Sequence, residues 1–594
     1  MRLFKNKIKK SPWLIRASPL ALAACGSGGG GSQASLGDNS STITVQNITG
    51  GDFGSNSNGL FNFGVWAESI PDVYVDPDEV PSIIIDQARA ENYLSGYKDN
   101  VALVNLTGRN EVDSLLYEYQ NDPSKSEFWK GDGASKTISF SFFDTELKLL
   151  DEETYNEGLG AIVYGNEFYD FSDNQKEVIR LALGEFEKVI DIKFVEVVEQ
   201  NNAVGTIRFG ISQADPADLG FYAFATAPND YWSSGGDIWL SDAFYGIDIV
   251  KGTYEFHTVL HELGHAMGLA HPHEGGAQTL KAGLDYRNYT QMSYEDPNWA
   301  YFGSGSAQYF TISDSLMVYD IQALQHMYGA NTNYNVGNTK YEFDPNKPTS
   351  LTIWDDGGED LLDFSNFNYR CDIDLNDGAY STIRFAQWNP EENFGIAFNT
   401  FIENVSGSQS HDTIIGNEID NEIFGNNGND KLYGGGGDDV FNWAPGSRGG
   451  IDTMYGGTGN DTYVLINSND IVVEFVTEGD DTVWTPTSYS APSNVENIFG
   501  YGSISGLTIE GNDLDNVLHG AELNDFLTGG DGADDFLLYL GMGNDKVTDF
   551  NSDEGDEVML AYGLTNYQYV STLTGGVYSL EDGSSLELVY EFIV

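Results

Sequence analysis

His261, Glu262, His265 and His271 fall in the run His-Glu-Leu-Gly-His-Ala-Met-Gly-Leu-Ala-His, residues 261 to 271. On a helix, positions 261 and 265 share one face, so both imidazoles can reach a common metal while Glu262 flanks them. Gly268 lets the chain leave the helix in a backbone geometry closed to bulkier residues, and His271 can then swing back as a third ligand. Three protein ligands to zinc leave the fourth position open. Water held there has its pKa lowered to about 7, and the Glu262 carboxylate can take the proton as the resulting hydroxide attacks a carbonyl. The chemistry implied is metal-dependent hydrolysis. Five of the eight histidines (His257, His261, His265, His271 and His273) lie in this one region. His257 and His273 stand outside the ligand spacing and are expected to support the site or lie at the surface.

Elements able to position such a site surround it. Ser172-Asp173-Asn174-Gln175 reads as a capping box, with Ile179, Leu183, Phe186 and Ile190 lining one face of the helix it opens. Strand-like segments at 206 to 210 and 237 to 240 precede the histidine helix, an order suited to an α+β lobe. Downstream, Met317, Ile321, Leu324 and Tyr328 have helical spacing that ends at a C-cap glycine, Gly329.

Composition bears on partners. With 91 acidic against 28 basic residues the formal charge is −63, which argues against nucleic acid and against attraction to anionic membranes. Hydrophobic content of 40% and aromatic content of 13% are too rich for a disordered acidic tail. So acidic a chain is therefore expected to fold with counter-cations, and 594 residues imply several domains. Cys25 and Cys371 are the only cysteines, so disulfides are not expected to hold the fold. No segment is long enough to span a membrane.

Four nine-residue units run without a break from 407 to 442: GSQSHDTII, GNEIDNEIF, GNNGNDKLY and GGGGDDVFN. A further unit spans 456 to 464, and a second block, GNDLDNVLH, GAELNDFLT and GGDGADDFL, spans 511 to 537. They resemble RTX nonapeptides, which build a parallel β-roll. Glycines make tight turns that expose carbonyl oxygens, the sixth-position aspartate supplies a carboxylate, and the apolar eighth residue enters the core. Hard oxygen ligands of this kind suit Ca²⁺ at about 2.3–2.6 Å. The candidate calcium carboxylates are Asp412, Asp430, Asp439, Asp461, Asp525 and Asp534, while Asn421 and Asn516 replace the aspartate in two units.

The histidine run resembles the metzincin zinc peptidases, whose His-Glu-x-x-His-x-x-Gly-x-x-His pattern is followed by a methionine turn. Tyr289-Thr290-Gln291-Met292-Ser293-Tyr294 is similar to that turn, with Gln291 where an aliphatic residue is usual. The resemblance implies zinc on His261, His265 and His271, Glu262 as general base, Met292 beneath the metal and Tyr294 as a transition-state donor. The Met-x-Tyr spacing looks like the serralysin and astacin branches. Residues 104 to 550 resemble serralysins, including an interdomain calcium loop matched at Gly337, Thr339, Asp355, Gly357, Gly358, Asp360 and Glu403, with Phe401 where a threonine is usual.

The fold class expected is an α+β metzincin domain followed by an all-β parallel roll. Five divisions follow: 1–33, a lipoprotein-type signal and Gly-rich tether; 34–103, an unassigned linker or prosegment; 104–330, the zinc-peptidase domain; 331–560, the calcium-binding roll; and 561–594, terminal strands with a secretion signal. The ending Glu591-Phe592-Ile593-Val594 resembles that of substrates of type I secretion machinery. The other end carries Leu22-Ala23-Ala24-Cys25, similar to a bacterial lipobox. The function expected is a secreted, monomeric, calcium-stabilised zinc endopeptidase acting on proteins or peptides. Two alternatives stand beside it: a Cys25-anchored surface location, and a calcium-dependent adhesin whose zinc site is vestigial.

Overall fold

The computed structural model describes residues 101–590 apart from 120–121, 132–135, 144–167, 200–204, 214–221, 229–234, 274–278, 305–306, 387, 443–448, 562–563 and 573. β1 (Val101–Asn105) pairs antiparallel with β2 (Lys125–Trp129), and the short helix α1 (Asn110–Asp113) lies between them in the chain. β3 (Thr137–Phe142), β5 (Lys193–Glu196), β6 (Ile207–Ser212) and β8 (Asp237–Leu240) form a parallel sheet in the order β5-β3-β6-β8. β7 (Ala223–Ala225) closes its far edge antiparallel to β8, and β4 (Phe168–Tyr169) pairs with β6. Every residue of β6 and β8 is buried, as expected of strands covered on both faces.

α2 (Asp173–Val189) covers this sheet region with Val178, Ile179, Ala182, Leu183, Phe186 and Val189 buried. Its capping box is formed: the Ser172 hydroxyl accepts from the Gln175 amide at 3.2 Å, and the Gln175 side chain accepts from the Ser172 amide at 3.0 Å. Gln175 also donates to the Phe244 and Ile247 carbonyls at 2.6 and 3.1 Å, so one capping residue ties the loop that leads to α3 (Tyr254–Ala266). α2 packs on α3, and α4 (Val318–Tyr328) ends at Gly329, which has φ +81°. These elements share one hydrophobic core, which also takes in Trp354 and Ala397 from the chain beyond α4.

From Lys340 onward the architecture is β-roll. An 11-stranded, wholly parallel sheet runs from Lys340–Glu342 to Glu557–Leu560. The remaining strands form an 8-stranded sheet and a 7-stranded sheet. Ile414 and Leu432 come from the 8-stranded sheet and Ile423 and Phe441 from the 11-stranded one, and all four are fully buried in a common core. Consecutive nonapeptides therefore alternate between facing sheets, and two of them make one turn. The Asp412 amide donates to the Asp430 carboxylate and the Asn421 amide to Asp439, each across 18 residues, which is that two-unit step. Residues 465 to 510 lack the repeat, yet Thr482–Thr485 and Asn497–Gly500 continue the parallel ladder. The two repeat blocks form one continuous roll. Cys371 is buried with its thiol free. No helix among the described residues is long and apolar enough to cross a membrane.

Candidate metal centre

α3 runs through the interior, with every residue from Phe256 to Ala266 buried. Polar side chains in such a helix need partners, so His257, His261, Glu262 and His265 call for an explanation. The helix stops at Ala266, and Gly268 has φ +101°; a Cβ there would also come within 3.1 Å of the Glu127 carbonyl. The Leu269 amide then bonds the Gly264 carbonyl and the Ala270 amide the Leu115 carbonyl, each at 2.9 Å. The chain is turned back and pinned beside α1, which sets His271 against the helix histidines.

Three Nε2 atoms converge, 3.1 Å apart for His261 and His265, 2.8 Å for His265 and His271, and 3.2 Å for His261 and His271. His261 Nδ1 donates to the Gln291 carbonyl at 2.8 Å, and His265 Nδ1 to the Leu269 carbonyl at 2.7 Å. A carbonyl only accepts, so Nδ1 carries a proton in both rings and Nε2 is the nitrogen turned inward. Burial, then the neighbouring imidazoles, hold His271 far below the usual histidine range, so it too is neutral. Lone pairs this close repel one another unless a cation sits among them. Nitrogens held tetrahedrally at zinc distances lie about 3.3 Å apart, close to what is seen. The donor set therefore fits zinc, with Glu262 on the adjoining helix position.

The methionine turn lies beneath. Met292 is fully buried, and its Sδ lies 2.6 Å from where a Cβ on Gly264 would stand, so a larger residue at that helix position would have to displace the methionine. Tyr294 OH reaches His271 Nε2 at 2.6 Å, bringing the phenol to the point where the three nitrogens meet. Gln291, the departure from an aliphatic residue, is buried and accepts from His257 Nδ1 while its side-chain amide donates to the Ser315 carbonyl. His257 is thus a buried neighbour behind His261, kept neutral first by burial and then by Arg287. His273 stacks on His271 with centroids 5.4 Å apart and pairs with Asp285 at 3.5 Å.

Three supporting residues carry no motif. Asp320, in the first turn of α4, accepts from the Thr290 hydroxyl at 2.6 Å, the Gln291 amide at 2.7 Å and the Met317 amide at 2.9 Å. It clamps the methionine turn, and burial pushes its carboxyl up to about 6 against the pull of those bonds. Its acidic place in a helix first turn was the only signal in sequence. Tyr117 OH lies 3.0 Å from His265 Nδ1, with no sequence signal. Glu392, at the roll end, accepts from the Tyr289 hydroxyl, and its carbonyl accepts from Asn288 at 3.3 Å, so the roll touches the turn under the metal centre.

The residues matched to the interdomain calcium loop gather in one place. The Thr339 amide donates to Asp360 and the Asp360 amide to Glu403, each at 2.7 Å; the Gly357 amide donates to Asp355 at 2.9 Å, and the Thr339 hydroxyl to the Gly337 carbonyl at 2.9 Å. Gly358 lies against Gly337, whereas the Phe401 side chain is exposed. Asp360 Oδ2 is buried without a hydrogen-bond partner, and burial followed by the neighbouring carboxylates pushes this carboxyl up to about 7. An oxygen-lined, acidic cluster of this kind fits a hard cation.

Along the roll, one oxygen of each aspartate caps an amide on the turn before: Asp439 N donates to Asp461 at 2.8 Å and Asp430 N to Asp452 at 3.0 Å. The second oxygens of Asp430, Asp439, Asp461 and Asp534 are buried without a partner. Burial is the main cause that pushes Asp412 and Asp461 up to about 6, Asp534 to about 7, Asp430 to about 8 and Asp439 to about 9, and it raises Asp525 as well. Asp452, Asp481 and Asp545 continue the series outside the recognised units, with no repeat to mark them. The asparagines behave differently. Asn421 donates to the Glu403 carbonyl at 3.0 Å, and Asn516 to the Val495 and Glu496 carbonyls at 3.0 and 3.2 Å, so their amides satisfy oxygens that a cation would otherwise bind.

Residues 165–296 match the family model described as Matrixin, and residues 318–577 match the one described as Peptidase M10 serralysin C terminal. With the histidine helix and turn on an α+β lobe, these matches make the chain similar to the metzincins. Among curated proteins it is similar to Serralysin of Proteus mirabilis, 33% identical over 285 residues that cover 43% of this chain and 56% of that one. It is similar also to Metalloprotease AprA of Pseudomonas entomophila, 32% identical over 313 residues covering 48% and 61% respectively. More particularly, then, the chain is serralysin-like. The matched stretches span somewhat over half the length of those relatives.

Two outcomes follow from this geometry. Gly264→Ala drives a methyl into Met292, so zinc affinity measured by chelator competition is expected to fall about 10- to 100-fold, the usual cost of disturbing a metal's supporting residues. In metal-free protein, carboxyls whose pKa is raised by folding stabilise the roll below their unfolded value and lose that contribution as pH rises through the folded one. Denaturation followed by circular dichroism should therefore show the cation-stripped roll most stable near pH 4 and weakening up to about pH 9, the highest of the shifted values.

Proposed function

We propose that the chain is a zinc metalloendopeptidase, exported by a bacterium and stabilised by calcium, that hydrolyses peptide bonds in proteins. The observation that carries this reading is the meeting of three Nε2 atoms within 3.2 Å of one another, with Tyr294 OH at the same point. His261, His265 and His271 would hold the zinc, which supplies Lewis acidity and lowers the pKa of water bound to it. Glu262 takes the proton of the attacking water and passes it to the departing amine. Tyr294 donates its phenolic proton in a hydrogen bond to the oxygen that gains charge at the scissile carbonyl. Asp320 and Gln291 hold the turn that carries Met292 and Tyr294, and so act on orientation.

Calcium has a structural part in this reading, filling the turns where Asp430, Asp439, Asp461 and Asp534 leave a buried oxygen unpartnered and the cluster of Asp355, Asp360 and Glu403. Scarce inside the cell, it leaves the roll unfolded for passage through type I secretion machinery; plentiful outside, it drives folding by binding only the native roll. The divisions near residues 330 and 560 belong to the same proposal. The ending Glu591 to Val594 and the Cys25 segment lie outside the described residues. An adhesin with a vestigial zinc site is disfavoured by the intact Glu262 and by the bonds that support the histidines and the methionine turn.

Casein or quenched-peptide cleavage is expected to vanish in Glu262→Ala while bound zinc, measured by elemental analysis, remains; equal cleavage by wild type and variant would refute the assigned base. Tyr294→Phe should lower kcat about 100-fold with little change in KM, the size seen for loss of one oxyanion donor. Circular dichroism at neutral pH should show the strand signal of the C-terminal half lost in chelator and restored by calcium.

A further inference from the structure

Glu474 stands where the roll's pattern has glycine. Met454 and Tyr455 pair in register with Val472 and Val473, which sets Glu474 opposite Gly456, the first glycine of the unit 456 to 464. Its side chain turns inward: Glu474 is 6% exposed, and Asp461 and Asp481 are each 1% exposed. One ligand oxygen from each of the three lies within 4.8 Å of the others. The Asp461 amide donates to Asp481 at 2.8 Å, which takes one Asp481 oxygen for the ladder. Asp461 Oδ2, Glu474 Oε2 and Asp481 Oδ2 are left buried without hydrogen-bond partners. Tyr463, at the eighth position of its unit, stacks on Phe441 and donates its hydroxyl to the other Glu474 oxygen, which fixes where that carboxylate points.

We propose that Asp461, Glu474 and Asp481 form a three-carboxylate site for a hard divalent cation of the calcium class, and that this site fills before the repeat turns of the roll. The proposal rests on the calcium reading above and goes beyond it, because no nonapeptide supplies Glu474 or Asp481. A repeat turn offers aspartates and neutral carbonyls, whereas here a third carboxylate is added and held rigid by Tyr463. Charge count and rigidity are what set affinity among calcium sites. The site also sits at the junction where the repeats give out and the ladder continues without them. A cation bound there joins the turn of Asp461 to the turn of Asp481 and carries the roll across the gap.

The test is calcium titration calorimetry on the full chain with zinc bound, stripped of calcium, alongside terbium luminescence sensitised by tyrosine at less than one equivalent of metal. Glu474→Gln should weaken the tightest binding step about tenfold or more and cut the first-equivalent terbium signal, while Glu510→Gln, at an exposed acid on the 7-stranded sheet, leaves both unchanged. An unchanged tightest step in Glu474→Gln, with later calcium steps present, overturns this site alone. Absence of any calcium step in wild type overturns the calcium reading and this site with it. If Glu474→Gln fails to fold in saturating calcium, Tyr463→Phe carries the comparison by calorimetry: a weakened first step supports the site, and an unchanged one overturns it.

Discussion

Buried electron-rich atoms that the protein does not itself neutralise are the constraint on which both halves of the structure depend. At the metal centre three imidazole lone pairs point at one spot; along the roll, carboxylate oxygens of successive turns face inward without donors. Burying such groups without partners costs several kcal/mol each in an apolar interior, so they persist only if they are protonated or meet a cation. The raised carboxyls of Asp430 and Asp439 are the same fact expressed as proton affinity. Groups buried in this way suit cations drawn from solution, in a chain whose formal charge is −63.

The two halves answer that constraint with different ligands. Imidazoles held on Nδ1 by main-chain carbonyls present a rigid nitrogen set suited to zinc. The roll presents carboxylate and carbonyl oxygens suited to harder cations. The asparagine turns show the alternative within one architecture. At Asn421 and Asn516 the side chain brings its own N–H donors to the carbonyls, so those oxygens are already hydrogen-bonded.

The halves also meet mechanically. The methionine turn is held from one side by Asp320 of α4 and from the other by Glu392, which stands among strands of the C-terminal half. Trp354 and Ala397 pack into the core that carries α3. Order in the C-terminal half thus bears on the residues that orient His261 and carry Tyr294. The two halves are thus joined through packing and hydrogen bonds.

The amino-acid sequence by itself determined which three histidines could meet, the helix and turn that separate them, the Met292 and Tyr294 segment, and the roll, because each rests on local spacing: i and i+4 on a helix, a left-handed residue at Gly268, and a nine-residue period. The capping box at Ser172 and the helix ended by Gly329 were legible for the same reason. What only tertiary structure decided are contacts between segments far apart in the chain. Asp320 as clamp, Tyr117 beside His265, Gln291 as partner of His257 and Glu392 beneath the turn have no period or motif, since their roles arise from which surfaces meet. Residues 465 to 510 hid their place in the roll because the parallel ladder is made by backbone groups, which any side chain of suitable shape permits. There Glu474 could be recognised only once the strand register had set it opposite Gly456.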